Sequence, residues 1–253
     1  MTEIALLCAF SMAAGFVDAV VGGGGLIQLP AALLLLPGVP YPMILGTNKF
    51  ASLFGTSFAV QRYLRHVKID WHTVAPAAVS AFLFAFIGSR IVTLLDPELI
   101  RPLVLGLLIV VAAYVLLVKE MGLIHKPKHA PPKSSLLGVA LGAVLGFYDG
   151  FFGPGMGSFL LFAFVGLFGF DFLSASASAK VVNWATNFAS LIFFTATGNI
   201  MFGIGIAMAS CNIIGAMIGS RMAIAKGSKF VRIFFLVIVC GLIAKLTQTI
   251  FQG

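Results

Sequence analysis

Two lysines and two aspartates lie inside apolar stretches of this 253-residue chain. Asp18 and Asp149 each precede a cluster of glycines, and Lys49 and Lys180 each lie far from any basic loop. A charged side chain at the centre of a bilayer costs roughly 2.5–3.5 kcal/mol on insertion scales, so another group must compensate it. These four residues are therefore the first candidates for chemistry.

The lysines allow two interpretations. In the first, Lys49 and Lys180 frame an anion-binding site together with backbone amides of the glycine clusters. In the second, each lysine reaches an interface or pairs with Asp18 or Asp149 for structural reasons. Polar side chains near the lysines at helical spacing are expected to hydrogen-bond the anion. These are Asn48, Ser52, Asn183 and Asn187.

The glycine clusters, "VVGGGG" at 20–25 and "FFGPGMG" at 151–157, interrupt hydrophobic segments. Each cluster predicts a short helix, an unwound stretch and a second short helix, either as a broken spanning helix or as a re-entrant hairpin. Free amides at such a break are expected to bind an anion. The candidates are Gly23, Gly24, Gly25, Gly155, Gly157 and Ser158. Asp18 and Asp149 then either carry protons or cap the broken ends.

Composition indicates a polytopic membrane protein. Hydrophobic residues make up 60% of the chain and charged residues 9%, whereas soluble domains carry about 25% charged residues. The net charge of +8 comes mostly from basic residues in short loops, which is typical of the positive-inside rule rather than of nucleic-acid binding. The four histidines are expected in loops, so neither a metal site nor a cofactor is predicted.

The chain is an internal duplication. A shift of 131 positions places Asp18 on Asp149 and Lys49 on Lys180 without a gap. Four of the ten charged positions in 15–116 are identical at this shift. The sequence therefore predicts a first membrane repeat (1–118), a polar cytoplasmic linker (119–135) and a second membrane repeat (136–253).

Loop charges predict that the two repeats have opposite orientations in the membrane. The loop with Arg62, Arg65 and Lys68 is basic, whereas its counterpart in the second repeat, "TGNIMFG" at 197–203, carries no charge. In the next loop of each repeat, the second repeat is the more basic one. The predicted fold class is therefore an all-α helical bundle of two inverted repeats, with about 8–10 membrane segments.

Taken in order, the motifs resemble the sulfite exporter TauE/SafE family. They are "GFVDAVVGGGGLIQLPA", "GTNKFAS", "GFYDGFFGPGMGSFL", "AKVVN" and "GSR…AKGSK", and they span nearly the whole chain. The resemblance implies a bacterial inner-membrane transporter of small anions such as sulfite, sulfonates or small organic acids. The first repeat has "TNK" where the second has "SAK", so the two halves of a site need not be equivalent.

The leading functional hypothesis is secondary transport, with export as the expected direction, at a midplane site between the repeats. The expected partners are a small anion and the lipid bilayer, and the oligomeric state is left open. A passive anion channel is the alternative, in which Asp18 and Asp149 would be structural. An intramembrane enzyme is a remote alternative, because no histidine lies in an apolar segment and neither acid adjoins a nucleophile.

The charge pattern makes a topology prediction. Single cysteines introduced into the 119–135 linker should react with an impermeant thiol reagent only from the cytoplasmic side. Cysteines near either terminus should react only from the opposite side. Termini that react from different sides would contradict the inverted arrangement.

Overall fold

The computed structural model describes residues 2–95 and 126–252, with side chains described up to residue 234. These residues form eight helices. The first four are α1 (Thr2–Val21), α2 (Gly25–Leu35), α3 (Tyr41–His66) and α4 (Trp71–Leu94), and the others are α5 (Lys133–Phe151), α6 (Met156–Gly166), α7 (Phe172–Ala196) and α8 (Phe202–Gln252). Gly227, with φ of 69° and ψ of −169°, divides α8 into two helical parts.

The predicted helical membrane protein is confirmed. The described residues are helical wherever they form regular structure. By length and composition, four helical segments are apolar enough to cross a bilayer: Thr2–Val21, Trp71–Leu94, Lys133–Phe151 and Phe202–Phe234. The helices α3 and α7 are not among these four, and they carry the buried lysines Lys49 and Lys180. The residues 96–118 of the first repeat and 119–125 of the linker lie outside the described residues.

The helix boundaries repeat with the same period as the sequence. Shifting α1 by 131 moves its start from Thr2 to Lys133, where α5 begins. The same shift moves the starts of α2, α3 and α4 to positions 156, 172 and 202, where α6, α7 and α8 begin. The described parts of the two halves therefore fold into the same succession of four helices.

Both glycine clusters reverse the chain. A methyl group on Gly24 would lie 2.5 Å from Ala14 O and 2.6 Å from Asp18 Cβ, so α2 starts beside the last turns of α1. Asn212 of α8 then donates to both Ser11 O and Gln28 Oε1, at 3.2 and 3.0 Å. Since residue 28 thus lies near residue 11, α2 returns alongside α1. Of the two arrangements that the sequence left open, the structure has the helical hairpin.

The second cluster makes the same reversal between α5 and α6. The rings of Tyr148 and Phe159 are 5.5 Å apart, whereas a continuous helix would separate residues 148 and 159 by about 16 Å at 1.5 Å per residue. Gly153 and Gly155, with φ of 94° and 84°, occupy the left-handed region at this turn, which only glycine enters without strain.

The order of contacts gives the relative directions of the helices. Successive residues of α5 meet successive residues of α4, so these two helices run parallel; the glycines Gly138, Gly142, Gly146 and Gly150 pack on Thr73, Ala77, Ala81 and Ala85. In contrast, α3 and α7 run antiparallel. Tyr63 near the end of α3 contacts Ser176 near the start of α7, at 3.3 Å. Trp184 donates to Ser57, earlier in α3, at 2.9 Å.

The part of the linker that the structure describes lies against the loop between α6 and α7. The amide of Lys126 donates to Gly169 O at 2.9 Å, and the amide of Lys128 donates to Phe168 O at 3.0 Å. Because α5 begins at Lys133, the linker ends at Pro132, three residues before its predicted end at 135. These bonds hold the linker beside the open end of the second hairpin, opposite its glycine turn.

The small-residue face of α5 yields a stability prediction. A side chain on Gly146 would come within 2.5 Å of Ala81 Cα and O, so we expect Gly146→Val to lower the free energy of unfolding by about 1–3 kcal/mol. Thermal unfolding in detergent measures the change.

Gly203 of α8 provides the matched control, because open space surrounds the position of its missing side chain. Gly203→Ala should leave stability unchanged or raise it by up to about 1 kcal/mol through helix propensity. Equal destabilisation by both variants would contradict close packing at Gly146.

Candidate functional site

A cavity lies where the two hairpin turns meet between α3 and α7. Gly22 of the first turn packs directly against Gly157 beside the second, and a methyl group on Gly25 would lie 3.1 Å from Pro154 Cα. The cavity is lined by Asp18, Gly22, Gly25, Asn48, Lys49, Ser52, Asp149, Gly153, Gly155, Met156, Gly157, Asn183 and Asn187. Both repeats therefore contribute to one polar space inside an apolar bundle.

Each candidate lysine is paired with an aspartate of the other repeat. Lys49 Nζ of α3 lies 2.6 Å from Asp149 Oδ2 of α5, and both side chains are 2% exposed. Lys180 Nζ of α7 donates a hydrogen bond of 2.9 Å to Asp18 Oδ2 of α1. The contact between Lys49 and Asp149 is an ion pair between two buried side chains. The two pairs cross between the repeats.

The pairs differ in their access to the cavity. Asp18 is 18% exposed, whereas the Lys180 side chain behind it is 0% exposed and does not line the cavity. Lys49 and Asp149 both line the cavity directly. Two ammonium and two carboxylate groups give this buried cluster a formal charge of zero, which offsets the cost of removing each charge from water.

Hydroxyl groups satisfy the carbonyl end of α1, where the first break begins. Tyr63 donates to Ala19 O at 2.8 Å, Ser176 to Val20 O at 2.9 Å, and Ser158 to Val21 O at 3.2 Å. The last carbonyls of a helix lack partners within that helix, and lipid cannot supply hydrogen-bond donors to them. These three side chains, from α3, α7 and α6, therefore satisfy the carbonyls that the break leaves without helical partners.

A second set of hydroxyls binds carbonyls at the end of α5 and in the turn that follows it. Ser89 donates to Gly150 O at 3.2 Å, and Tyr148 donates to Pro154 O at 2.5 Å. Tyr41 reaches Phe152 O at 3.5 Å, the limit of a hydrogen bond. Sequence reasoning missed Tyr63, Ser176 and these hydroxyls. Their signal is weak, because a lone hydroxyl in an apolar helix does not reveal its distant partner.

The amide ends of α2 and α6 have no such partners. Gly24 and Gly155 hold the cap positions, and neither helix has a side-chain cap. The predicted capping by Asp18 and Asp149 is therefore not found, because both carboxylates bind lysines instead. Within the described residues, no acceptor binds the amides of Gly25, Gly155 or Gly157, all of which line the cavity.

The structure brings most predicted site residues together. Asn48 and Ser52 of α3 face Asn183 and Asn187 of α7 across the cavity, and Asn48 Oδ1 has no hydrogen-bond partner among the described residues. Four predicted residues do not line the cavity: Lys180, Gly23, Gly24 and Ser158. Lys180 is covered by Asp18, Gly24 packs on α1, and Ser158 binds Val21 O. The lining residues Gly22, Gly153 and Met156 were not predicted.

The Tyr63 hydroxyl carries a testable stability contribution. Tyr63→Phe should lower the free energy of unfolding by about 1–3 kcal/mol, because Ala19 O is then buried without that donor. Tyr41→Phe is the matched control, since its hydroxyl lies 3.5 Å from Phe152 O and should cost less. Thermal unfolding compares the two, and a larger loss for Tyr41→Phe would contradict the assignment.

Comparisons with known proteins find one family model and several relatives that match nearly the whole chain. A family model described as "Sulfite exporter TauE/SafE" matches residues 7–246. The "Probable membrane transporter protein ORF9" of Sinorhizobium sp is 33% identical over 96% of this chain and 92% of its own. The "Probable membrane transporter protein" of Haemophilus influenzae is 34% identical over 90% and 88%, respectively.

A third relative is the "Probable membrane transporter protein YfcA" of Escherichia coli K12, which is 31% identical over 93% of this chain and 86% of its own. No solved structure is significantly similar to the chain.

Proposed function

Because the chain belongs to the sulfite exporter TauE/SafE family, we propose that it is a secondary transporter that exports a small anion. The anion binds in the cavity between the hairpin turns, and candidate substrates are sulfite, a sulfonate or a small organic acid. The observation that carries the proposal is the combination of buried Lys49 with the unpaired amides of Gly25, Gly155 and Gly157 in one cavity.

The electrostatics of the cavity support an anion. The N-termini of α2 and α6 both begin at this cavity, and a helix N-terminus carries about half a positive charge. Lys49 places an ammonium group at the cavity, with its charge balanced by Asp149, and the Asn183 and Asn187 side chains supply amide groups there. Lys180 acts on the cavity through Asp18 rather than by direct contact.

Helix directions support inverted repeats and alternating access. The 131-residue shift maps α3 onto α7, and these two helices pack antiparallel. Repeats related in this way place the substrate site at their interface and expose it alternately to the two sides of the membrane. The crossed lysine–aspartate pairs join the repeats at that interface, so a change of access must rearrange them.

A ligand screen tests the substrate class. Sulfite, sulfate, thiosulfate, sulfoacetate and small carboxylates are added to the purified protein, and the unfolding temperature is measured. A bound anion stabilises the protein by RT ln(1 + [L]/Kd), or about 2.7 kcal/mol at 100 times Kd. If no anion stabilises the protein and none crosses protein-containing liposomes, the proposal is wrong.

The lysines provide the second test. Lys49→Ala should reduce anion flux into liposomes to less than a tenth of the wild-type rate, because it removes the charge that lines the cavity. Lys180→Ala should do the same, because it leaves Asp18 unpaired beside the anion. Lys→Arg should restore only part of the flux, since guanidinium differs in shape and hydration.

Lys226→Ala is the control for these variants, because Lys226 is exposed and lies over the Phe230 ring, away from the cavity. It should transport at the wild-type rate. Near-normal flux through both cavity variants would leave the lysines with a structural role only. Flux that moves charge without protons would favour the passive channel.

A further inference from the structure

The charge of the cavity constrains what must accompany an anion. Lys49, Lys180, Asp18 and Asp149 together carry a formal charge of zero. An anion that entered alone would leave one uncompensated negative charge in a buried space, which costs several kcal/mol. One proton taken up by either carboxylate restores neutrality.

We propose that each negative charge enters the cavity together with one proton, and that Asp18 accepts this proton. The inference rests on the proposed function and specifies which ion moves with the anion; export then runs down the anion's own concentration gradient. The proton adds to the Asp18 carboxylate to give a neutral acid, so the positive charge of Lys180 is no longer balanced within its pair. The anion then balances that charge, and the loaded site has the same net charge as the empty one.

Exposure distinguishes the two acids. The Asp18 side chain is 18% exposed and lines the cavity, whereas Asp149 is 2% exposed against Lys49. Asp18 also covers Lys180, whose side chain is fully buried. A proton arriving through the cavity therefore meets Asp18 more readily than Asp149. Protonation of Asp18 also changes the state of a pair that joins α1 of the first repeat to α7 of the second.

Charged and titratable groups on several helices surround Asp18. Lys180 of α7 is its partner, Lys49 of α3 lines the same cavity, and Tyr63 of α3 donates to the carbonyl of the next residue, Ala19. Asp149 of α5 lines the same cavity. The neighbouring part of α2 is Gly24, which packs on Asp18 Cβ and is uncharged. Within this set, Asp18 and Asp149 are the two carboxylates able to take up a proton.

The experiment measures the driving force for two probe anions, sulfite and methanesulfonate, in liposomes that contain the full chain. Methanesulfonate does not titrate near neutral pH, so any proton that moves with it is carried by the protein. Potassium with valinomycin sets the membrane potential, and internal buffer sets the pH difference. Protein-free liposomes measure the leak of sulfite as neutral sulfur dioxide, which is subtracted.

The proposal predicts electroneutral transport. With no membrane potential, a pH difference of one unit should concentrate methanesulfonate about tenfold on the alkaline side, since one proton moves with each monovalent anion. With no pH difference, a potential of 100 mV should produce no accumulation. An accumulation of about 50-fold at 100 mV, the ratio for one free unit charge, would overturn the coupling but not anion transport itself. Transport of neither probe would overturn both proposals.

Replacement of Asp18 tests the identity of the proton acceptor. Asp18→Asn leaves the site with one positive charge, so an anion should bind without a proton and accumulate with the potential instead of the pH difference. If this variant does not fold because Lys180 is unpaired, Asp18→Asn with Lys180→Gln keeps the site neutral and should lose pH-driven accumulation. Tenfold pH-driven accumulation by either variant would overturn the role of Asp18.

Glu3→Gln is the control, because Glu3 is an exposed acid on the same helix, α1. It should keep the tenfold pH-driven accumulation of methanesulfonate.

Discussion

Buried charge is the constraint on which the rest of this structure depends. A lysine without water needs an anionic partner, and each of the two lysines finds one in the other repeat. Neither half of the chain can therefore neutralise its own charges in the observed arrangement. Removing one member of such a pair generally costs 3–5 kcal/mol, because the remaining charge stays buried. The crossed pairs thus join the repeats strongly and at the same level as the hairpin turns.

The two helix ends that meet at each break differ in their hydrogen bonding. The carbonyl ends of α1 and α5 accept hydrogen bonds from hydroxyls such as those of Tyr63 and Ser89. The amide ends of α2 and α6 are left open to the cavity. Because carbonyl ends carry negative partial charge and amide ends positive, this difference gives the cavity a positive backbone field even though its four side-chain charges cancel. A neutral set of side chains is therefore compatible with a site for anions.

Much of this site could be predicted from local signals in the sequence. Charges and glycine clusters are conspicuous in an apolar chain, and the 131-residue shift relates them in pairs. The cavity consequently contains Lys49, both aspartates and all four predicted polar side chains. Composition and spacing are enough to predict these features, because a charged or polar side chain buried in an apolar bundle needs a partner in any fold.

The missed features depend on contacts between distant residues. The partner of Lys180 is 162 residues away, and that of the Tyr63 hydroxyl is 44 residues away. The sequence could not choose between capping and ion pairing for Asp18, since that choice depends on which helix packs beside α1. The direction of α2 was open for the same reason, because a glycine cluster permits both a kink and a reversal.

Equivalent positions of the repeats carry different side chains, and this limits how alike the two halves of the cavity can be. Asn48 corresponds to Ala179, Tyr63 to Phe194 and Tyr148 to Val17. The Tyr63 hydroxyl at the first break therefore has no counterpart at Phe194, and the Tyr148 hydroxyl at the second break has none at Val17. Lys49 lines the cavity while Lys180 is covered. Under alternating access, states that open to opposite sides would then present different groups to the anion, so its affinity need not be equal on the two sides of the membrane.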